Sequence, residues 1–502
     1  METLSLLMGG IAAALKPGIL LAVLIGVIIG LFIAVLPGLG PAAGVAILLP
    51  VVVGLDGTMA MAALAGVYYG GMYGGAVTSI LLGIPGDAPS VMTVLDGHPM
   101  AQQGRAGDAL SMNVLASFVG GLFGLVMLVA VAYQVARVAL AFGPAEMTAL
   151  MIMALSLVSV LGGKDALKGF AALAIGLWVG MFGLDVIGGF PRYTYGSMYL
   201  LGGLEFSVIA VGIFGLGQIF AALTQPEIEA SKRIRYTFRS LIPNPRELIR
   251  CRWDLLRGSV IGFVVGILPG AGATAATMLS YAVAKRFSRT PERFGKGAIE
   301  GVAAPEAANN SASYAAMIPL FTLGIPGSAT TAVLMGGLLM IGLQPGPQMF
   351  QQNSEFVWTL FGTFYIGNLA LVFLTILLIP VLASIVFVSR ALLFPIIICV
   401  VMFAVYSIGY SVANLWIVIV FGVLGYIMLR LDYPAVPLIL GVVLGPLLER
   451  AVRRTLIASQ GDLMVFFDRP IALVLFALTA VFLLVPLIRR LLSLRARTRA
   501  HR

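Results

Sequence analysis

The sequence is poor in charged residues, cysteine and histidine, and each shortage excludes a class of protein. Only 10% of its 502 residues are charged and 60% are hydrophobic, whereas a soluble globular domain has about 25% charged residues. So few charges cannot cover a water-facing surface of this size, which excludes a soluble protein. The two cysteines (Cys251, Cys399) and the two histidines (His98, His501) provide neither a disulfide framework nor a zinc site.

The apolar residues lie in long continuous runs of the kind that form transmembrane helices. At roughly 20–25 residues per span, they allow on the order of 12 crossings. The runs do not alternate as β-barrel strands do, and shorter apolar pieces, such as residues 258–268 and 274–284, are typical of re-entrant segments. We predict an all-α polytopic membrane protein with about 10–12 transmembrane helices plus re-entrant or broken helices.

Positive charge is in excess and is clustered. The 31 lysines and arginines outnumber the 21 acidic residues by 10, and 22 of the 31 lie in segments 226–257, 285–296, 450–454 and 489–502. Such clusters are typical of the cytoplasmic loops of membrane proteins. They lack the interleaved aromatic residues that suit nucleic acid, so we predict a lipid-embedded chain that does not bind nucleic acid.

Two Pro-Gly motifs recur in the same order along the chain. Ile29–Gly40 reads IGLFIAVLPGLG and Ile261–Gly272 reads IGFVVGILPGAG, at an offset of 232, while GIPG occurs at Gly83–Gly86 and Gly324–Gly327, at an offset of 241. The loops that follow corresponding motifs differ in charge: where the loop of one half carries cations, its counterpart in the other half carries none. This pattern favours inverted repeats. We predict a first membrane repeat at 1–225, a basic cytoplasmic connector at 226–257, a second membrane repeat at 258–488 and a basic cytoplasmic tail at 489–502.

The Pro-Gly breaks are candidate binding elements. Within a membrane, broken backbone persists only where it is buried in protein or lines a wet cavity. A helix that restarts after a break directs free N–H groups at a carboxylate, and unwound carbonyls suit Na⁺. The alternative is close helix packing through glycine, which we favour for Gly70, Gly71, Gly74 and Gly75. The predicted substrate-binding residues of the breaks are Pro37, Gly38, Gly40, Gly83, Pro85, Gly86, Ser90, Pro269, Gly270, Gly272, Gly324, Pro326 and Gly327.

Polar residues near the breaks are candidates for coupling to a cation. Asp87 follows the first GIPG, and acidic residues at membrane depth are costly and usually functional. We predict that Asp87 binds the coupling cation or relays a proton, with a helix N-cap as the alternative. Glu306 opens a polar run that either contributes to the site or forms a solvated loop. The remaining predicted residues are Asn309 and Asn310 for the substrate, and Ser328 and Thr330, with Glu306, for the cation.

Catalytic motifs are missing from the sequence. It contains no Gly-x-Ser-x-Gly, phosphate-binding loop, HExxH or CxxC. We therefore predict that the chain is not an enzyme and uses no cofactor other than Na⁺ or H⁺ as coupling ion. A passive organic-anion channel is the alternative function.

Several of these segments closely resemble the large membrane subunit of the tripartite tricarboxylate transporters, the TctA-like permeases. The resemblance is carried by residues 33–56, 63–110, 267–274, 301–312 and 319–347, and it extends over nearly the whole chain. It implies a bacterial inner-membrane secondary transporter that imports di- or tricarboxylates or related organic acids with a gradient of H⁺ or Na⁺. It also implies two partners, a periplasmic solute-binding protein and a small four-span membrane subunit.

Overall fold

The computed structural model describes residues 2–484 apart from 37, 164, 186, 225–237, 242–244, 386–387 and 389. It is helical almost throughout, and the strands in the described range are β1 (Gly183–Leu184) and β2 (Pro191–Arg192), which pair antiparallel. The all-α polytopic class is confirmed. The chain divides into unit 1, Met1–Arg137 with Glu205–Leu431, and unit 2, Val138–Leu204 with Asp432–Arg502. Each unit therefore contains residues from both predicted halves.

Unit 1 contains most of the helices. In chain order they are α1 (Glu2–Ala14), α2 (Pro17–Ala34), α3 (Pro41–Leu48), α4 (Gly57–Leu82), α5 (Val91–Met100), all but the last residues of α6 (Ala106–Ala139), α10 (Phe206–Ala210), α11 (Gly217–Leu223), α12 (Pro245–Gly266), α13 (Gly272–Phe287), α14 (Glu300–Ala315), α15 (Met317–Leu323), α16 (Ala329–Met340), α17 (Met349–Gln352), α18 (Ser354–Ile385), α19 (Arg390–Ser407) and α20 (Val412–Arg430). Short 3₁₀ helices lie at Val51–Gly54, Phe238–Leu241 and Pro291–Arg293, and π-helical turns at Ala101–Arg105 and Val211–Leu216.

Unit 2 is smaller. Its helices are α7 (Pro144–Leu161), α8 (Ala166–Val179), α9 (Met198–Leu201), α21 (Ala435–Ala458), α22 (Val465–Asp468) and a final apolar helix, Pro470–Leu484. The β1–β2 hairpin is tied to α21, because the Arg192 guanidinium donates to both carboxylate oxygens of Glu449 at 3.0 and 2.9 Å. Arg192 also pairs with Asp185. A bidentate pair of this kind fixes geometry as well as charge.

Seven helices within the described range are long and apolar enough to cross a membrane. They are Pro17–Ala34, Val91–Ala139, Pro144–Leu161, Phe206–Leu223, Ser354–Ile385, Val412–Arg430 and Ala435–Ala458. Five further apolar helices have 10–17 residues. The count of 10–12 crossings therefore stays a prediction.

The helices around the third Pro-Gly break are longer than the sequence indicated. We expected two pieces at 258–268 and 274–284, but α12 has 22 residues and α13 has 16. The reason is that both helices continue past the apolar residues into charged sequence. In particular, α12 begins at Pro245, inside the stretch that we predicted as connector.

Helices α2 and α4 pack by the same contact as helices α12 and α14. A Cβ atom on Gly30 would lie 2.4 Å from the Val67 carbonyl oxygen, and one on Gly262 would lie 2.3 Å from that of Ala308. These glycines are needed because the backbones approach too closely for any side chain. The two contacts are related by the same offsets, 232 and 241, that relate the Pro-Gly motifs.

Candidate functional site

The Pro-Gly breaks have matching backbone conformations. Gly83 ends α4 and Gly324 ends α15, both in the left-handed region with φ of +71° and +69°. Gly38 and Gly270 have φ of +91° and +85°. A residue with a Cβ would be strained at these positions, so glycine permits the helices to stop there. Pro37 lies outside the described residues.

In the first half, the two breaks lie beside each other. A Cβ on Gly40 would lie 3.8 Å from the Cβ of Asp87. The Gly86 N–H donates to the Gly75 carbonyl at 3.3 Å, so the second break folds back on α4. Pro85 precedes this contact and is partly buried. Both breaks therefore border the Asp87 side chain.

In the second half, the two breaks are directly hydrogen-bonded. The Gly270 N–H donates to the Gly327 carbonyl oxygen at 3.1 Å. Pro269 precedes this bond, and Gly272 begins α13 with φ of +64°. Pro326 is buried next to Gly327. One backbone N–H of the third break thus has its hydrogen-bond acceptor in the fourth break.

Asp87 is buried in the turn between α4 and α5. Its Oδ1 accepts from the Ser90 N–H at 3.0 Å, and the Ser90 hydroxyl donates to the Asp87 carbonyl at 3.0 Å. A Cβ on Gly75 would lie 2.9 Å from Oδ1, so that glycine makes room for the carboxylate. Ser90 and not Asp87 is the N-cap residue of α5, so this Oδ1 bond holds the turn that precedes the helix. The other oxygen, Oδ2, is buried and has no hydrogen-bond partner among the described residues.

Glu306 is buried within α14, so the solvated-loop alternative is wrong. The Thr93 hydroxyl donates to its Oε1, while Oε2 has no partner within the described part of the chain. The Asn310 amide donates to the Glu306 carbonyl at 3.1 Å, a contact within α14. The Asn309 amide donates to the Met72 carbonyl at 3.4 Å and connects α14 to α4.

Three of the predicted residues form one buried polar group. Asp87 and Asn309 both lie close enough to the Glu306 carboxylate to interact electrostatically with it. Each of the three has one buried oxygen without a partner in the described structure. Groups of three or more His, Cys, Asp or Glu that would hold a metal ion are absent from the described residues. The arrangement offers oxygen ligands and two carboxylates to a proton or a monovalent cation.

Ser328 and Thr330 belong to the start of α16. The Ser328 hydroxyl accepts from the Thr331 N–H at 3.2 Å, and the Thr331 hydroxyl accepts from the Ser328 N–H at 2.8 Å. This reciprocal cap satisfies the free donors at that helix end. Thr330 is buried beside it. Among the described contacts, none joins Ser328 or Thr330 to the Asp87–Glu306 group.

Sequence reasoning missed several polar residues near the site. Thr93 on α5 contacts Glu306, and the Tyr73 hydroxyl donates to the Asn368 side-chain oxygen at 3.2 Å. Asn368 is an isolated amide in the long apolar helix α18, a pattern that marks functional or helix-linking positions in membranes. That signal was available in the sequence. Thr93 carried no such signal, because its partner is 213 residues away.

A further buried carboxylate, Asp96, holds α5 against the loop before α14. Its Oδ1 accepts from the N–H groups of Gly295, Gly297 and Ala298 at 2.9, 2.9 and 2.8 Å. Its Oδ2 accepts from the Tyr281 hydroxyl at 2.8 Å. Because α5 carries Thr93 and α14 carries Glu306, this clasp positions the Thr93–Glu306 contact.

Arg105 is engaged in ion pairs and is not directed at the Asp87–Glu306 group. Its Nε donates to Asp108 and its Nη2 to Glu247, both at 3.0 Å. Burial raises the pKa of Glu247, and nearby Asp108 raises it further against the opposing effect of Arg105. The pairs connect the start of α6 to the start of α12.

Comparison with known proteins places this site in a family. The model described as the tripartite tricarboxylate transporter TctA family matches residues 20–440. An uncharacterized 52.8 kDa protein from the TAR-I ttuC' 3' region of Agrobacterium vitis is 38% identical over 492 residues, which are 97% of this chain and 98% of that protein. An uncharacterized protein from the TAR-II ttuC' 3' region of the same organism is 40% identical over 234 residues, 47% of this chain and 97% of that protein.

No solved structure matches the chain significantly. The family model nevertheless covers most of the chain, including all four Pro-Gly breaks and the Asp87–Glu306 group. The chain therefore belongs to the TctA family of tripartite tricarboxylate transporters.

Proposed function

We propose that this protein is the large membrane subunit of a binding-protein-dependent importer of di- or tricarboxylates or related organic acids, driven by a gradient of H⁺ or Na⁺. Membership of the TctA family supports the transporter role. The observation that supports coupling is the pair of buried carboxylates, Asp87 and Glu306, each with one unpartnered oxygen among the described residues.

The physical argument is one of charge compensation. A carboxylate in a membrane interior is costly unless a proton or cation neutralises it. An anionic substrate that enters beside Asp87 and Glu306 adds further negative charge. Binding of the cation therefore has to accompany binding of the substrate, and this linkage drives uptake along the cation gradient. In this proposal, backbone N–H groups at the ends of the broken helices donate to the substrate carboxylates.

We infer further that the two halves are inverted repeats. The equal backbone conformations of the breaks and the equal glycine contacts at offsets of 232 and 241 support the duplication. The distribution of cations supports the inversion and a cytoplasmic location for the connector and the tail. In this proposal the protein lies in a bacterial inner membrane, works with a four-span membrane subunit and a periplasmic solute-binding protein, and catalyses no chemical reaction.

The test is uptake of labelled citrate, succinate and benzoate by right-side-out membrane vesicles that contain the three components. The Na⁺ and H⁺ gradients are collapsed separately. We expect accumulation of at least one acid to stop when one of the two gradients is removed. Accumulation that survives the loss of both gradients would contradict coupling and favour the passive channel.

Two variants test the coupling group. We expect Asp87→Asn and Glu306→Gln each to reduce gradient-driven accumulation at least tenfold. The reason is that an amide does not bind a proton and has no negative charge with which to attract a cation. Exchange of labelled for unlabelled acid, which needs no net cation movement, should be less affected. Glu146→Gln is the matched control, since Glu146 is a buried glutamate whose side chain, among the described contacts, accepts from the Gly143 N–H at the start of its own helix. Normal accumulation by both test variants would remove these residues from the mechanism.

A further inference from the structure

A cavity of about 330 Å³ opens beside the first Pro-Gly break. It is lined by Gly38, Gln218, Ala221, Ala222, Leu429 and Arg430. This volume is at the small end of the range of about 300–1,000 Å³ in which small-molecule sites fall. The polar side chains of its wall, an arginine and a glutamine, lie outside the residues that sequence reasoning selected.

Gln218 connects the cavity to the break. Its Oε1 accepts from the Gly40 N–H at 3.3 Å. The side-chain oxygen of Gln218 is used by this bond, but its NH₂ group is not. Among the described contacts, no acceptor binds that NH₂ group. Gln218 therefore satisfies the broken backbone while offering two donors to a ligand.

Arg430 supplies the charge. Its Nε donates to the Tyr426 hydroxyl at 3.2 Å, and its guanidinium carbon lies 5.5 Å from the centre of that ring. In the described part of the chain no carboxylate forms an ion pair with Arg430. Because Nε is occupied, the two terminal NH₂ groups remain for a ligand, and their planar geometry matches a carboxylate.

The position of the cavity indicates which side of the membrane it faces. Arg430 is the last residue of α20, and Ala221 and Ala222 lie in the last turn of α11. The basic stretch 226–257 follows α11 directly in the sequence. By the distribution of positive charge, this end of the two helices faces the cytoplasm.

A second cavity, of about 450 Å³, does not share this chemistry. Its charged lining residues are Lys16, Asp56 and Glu355, so acidic side chains outnumber the basic one. An anion would be repelled there. The cavity beside Arg430 is therefore the better candidate for an organic acid.

We propose that the cavity at Gly38, Gln218 and Arg430 is a carboxylate-binding vestibule on the cytoplasmic side, from which the substrate leaves the first Pro-Gly break. This inference rests on the proposed function for the direction of transport. Its chemistry is independent of that function, since a guanidinium and a side-chain amide at broken backbone select an organic anion whether or not transport is coupled to a cation.

The test measures the charge preference of the cavity with a reporter thiol. Cys251 and Cys399 are replaced by alanine, and Ala221→Cys introduces the only thiol. Inside-out vesicles are treated with sulfonatoethyl methanethiosulfonate, an anion, or with the trimethylammonium analogue, a cation. We expect Arg430→Gln to lower the ratio of the anionic to the cationic rate by about tenfold, because a unit charge in a water-filled cavity acts on the two reagents in opposite directions.

Two variants provide controls. Arg430→Lys keeps the charge and should keep most of the ratio, and Arg289→Gln removes an exposed charge from another loop and should leave the ratio unchanged. An unchanged ratio in the Arg430→Gln protein would overturn the proposal, as would a thiol that reacts only from the periplasmic side.

Protection of the introduced thiol by organic acids distinguishes failure of this proposal from failure of the proposed function. Citrate, succinate or benzoate should slow labelling of the introduced thiol at least threefold in the protein with Arg430, and less in the Arg430→Gln protein. Failure of all three acids to protect the thiol would refute a carboxylate site. Protection together with uptake that ignores both cation gradients would support the vestibule and refute coupled import.

Discussion

Replacement of Asp96 is expected to destabilise the protein more than replacement of any exposed acidic residue. The side chain is fully buried, and its two oxygens accept four hydrogen bonds from the loop before α14 and from Tyr281. Hydrogen bonds to a charged group contribute roughly 1.5–3 kcal/mol each, about twice the value for neutral pairs.

The magnitude follows from the number of donors. Asp96→Asn keeps one carbonyl oxygen for the three backbone N–H groups but removes its charge, so roughly half of three such contributions is lost, about 2–4 kcal/mol. Asp96→Ala leaves three N–H groups without an acceptor, which costs about 3–5 kcal/mol once loop relaxation is allowed for. Tyr281→Phe removes one bond and should cost about 1–2 kcal/mol.

The assay is the thermal midpoint of the detergent-solubilised full-length protein, followed by size-exclusion chromatography of the remaining folded fraction. Asp108→Asn is the matched control, because Asp108 forms a partly exposed ion pair with Arg105 and such pairs contribute about 0–1 kcal/mol. The expected order of destabilisation is Asp96→Ala, Asp96→Asn, Tyr281→Phe and then Asp108→Asn. If the Asp96 variants had the same thermal midpoint as the Asp108 variant, the stabilising role of the Asp96 hydrogen bonds would be refuted.

Three further predictions address packing, the hairpin of unit 2 and topology. Gly262→Ala should destabilise the protein by about 1–3 kcal/mol in the same melting assay, because the new Cβ would lie 2.3 Å from the Ala308 carbonyl oxygen. Arg192→Lys should increase cleavage of unit 2 in limited proteolysis, because an ammonium cannot make the bidentate pair; cleavage equal to that of the parent protein would contradict this role. Cysteines placed at Gln102 and Gln344 in a cysteine-free protein should react with an impermeant reagent from opposite sides of the membrane, and reaction from the same side would disprove the inverted repeats.

The sequence predicted the polytopic helical class and the positions of the breaks because both depend on local composition. Apolar runs require helices in a membrane, and Pro-Gly sites stop them. The conformations of Gly83 and Gly324 agree with that reasoning. The limits of α12 were predicted less well, since a helix that packs on a neighbour can continue through charged residues that hydropathy assigns to a loop.

The candidate site was predictable only in part because its contacts are remote in sequence. Asp87 was identified as a costly acid at membrane depth, and Glu306 as the first residue of a polar run between apolar segments. Their proximity depends on how α4, α5 and α14 pack, and no local pattern encodes that. The same holds for Asp96, whose donors lie about 200 residues away. Ser328, which occupies the position of Asp87 in the second half, is also a predicted cation residue, and the structure places it in the cap at the start of α16.

The glycines of α4 show how one run of sequence serves both packing and the site. Gly70 and Gly74 face α2, since a Cβ on either would lie within 3 Å of a carbonyl oxygen of that helix. Gly71 faces Pro41 at the start of α3, and Gly75 faces the Asp87 carboxylate. Residues one position apart on a helix point about 100° from each other, so the two pairs occupy different faces. Close packing against α2 and α3 therefore accounts for Gly70, Gly71 and Gly74, whereas Gly75 makes room for the acid.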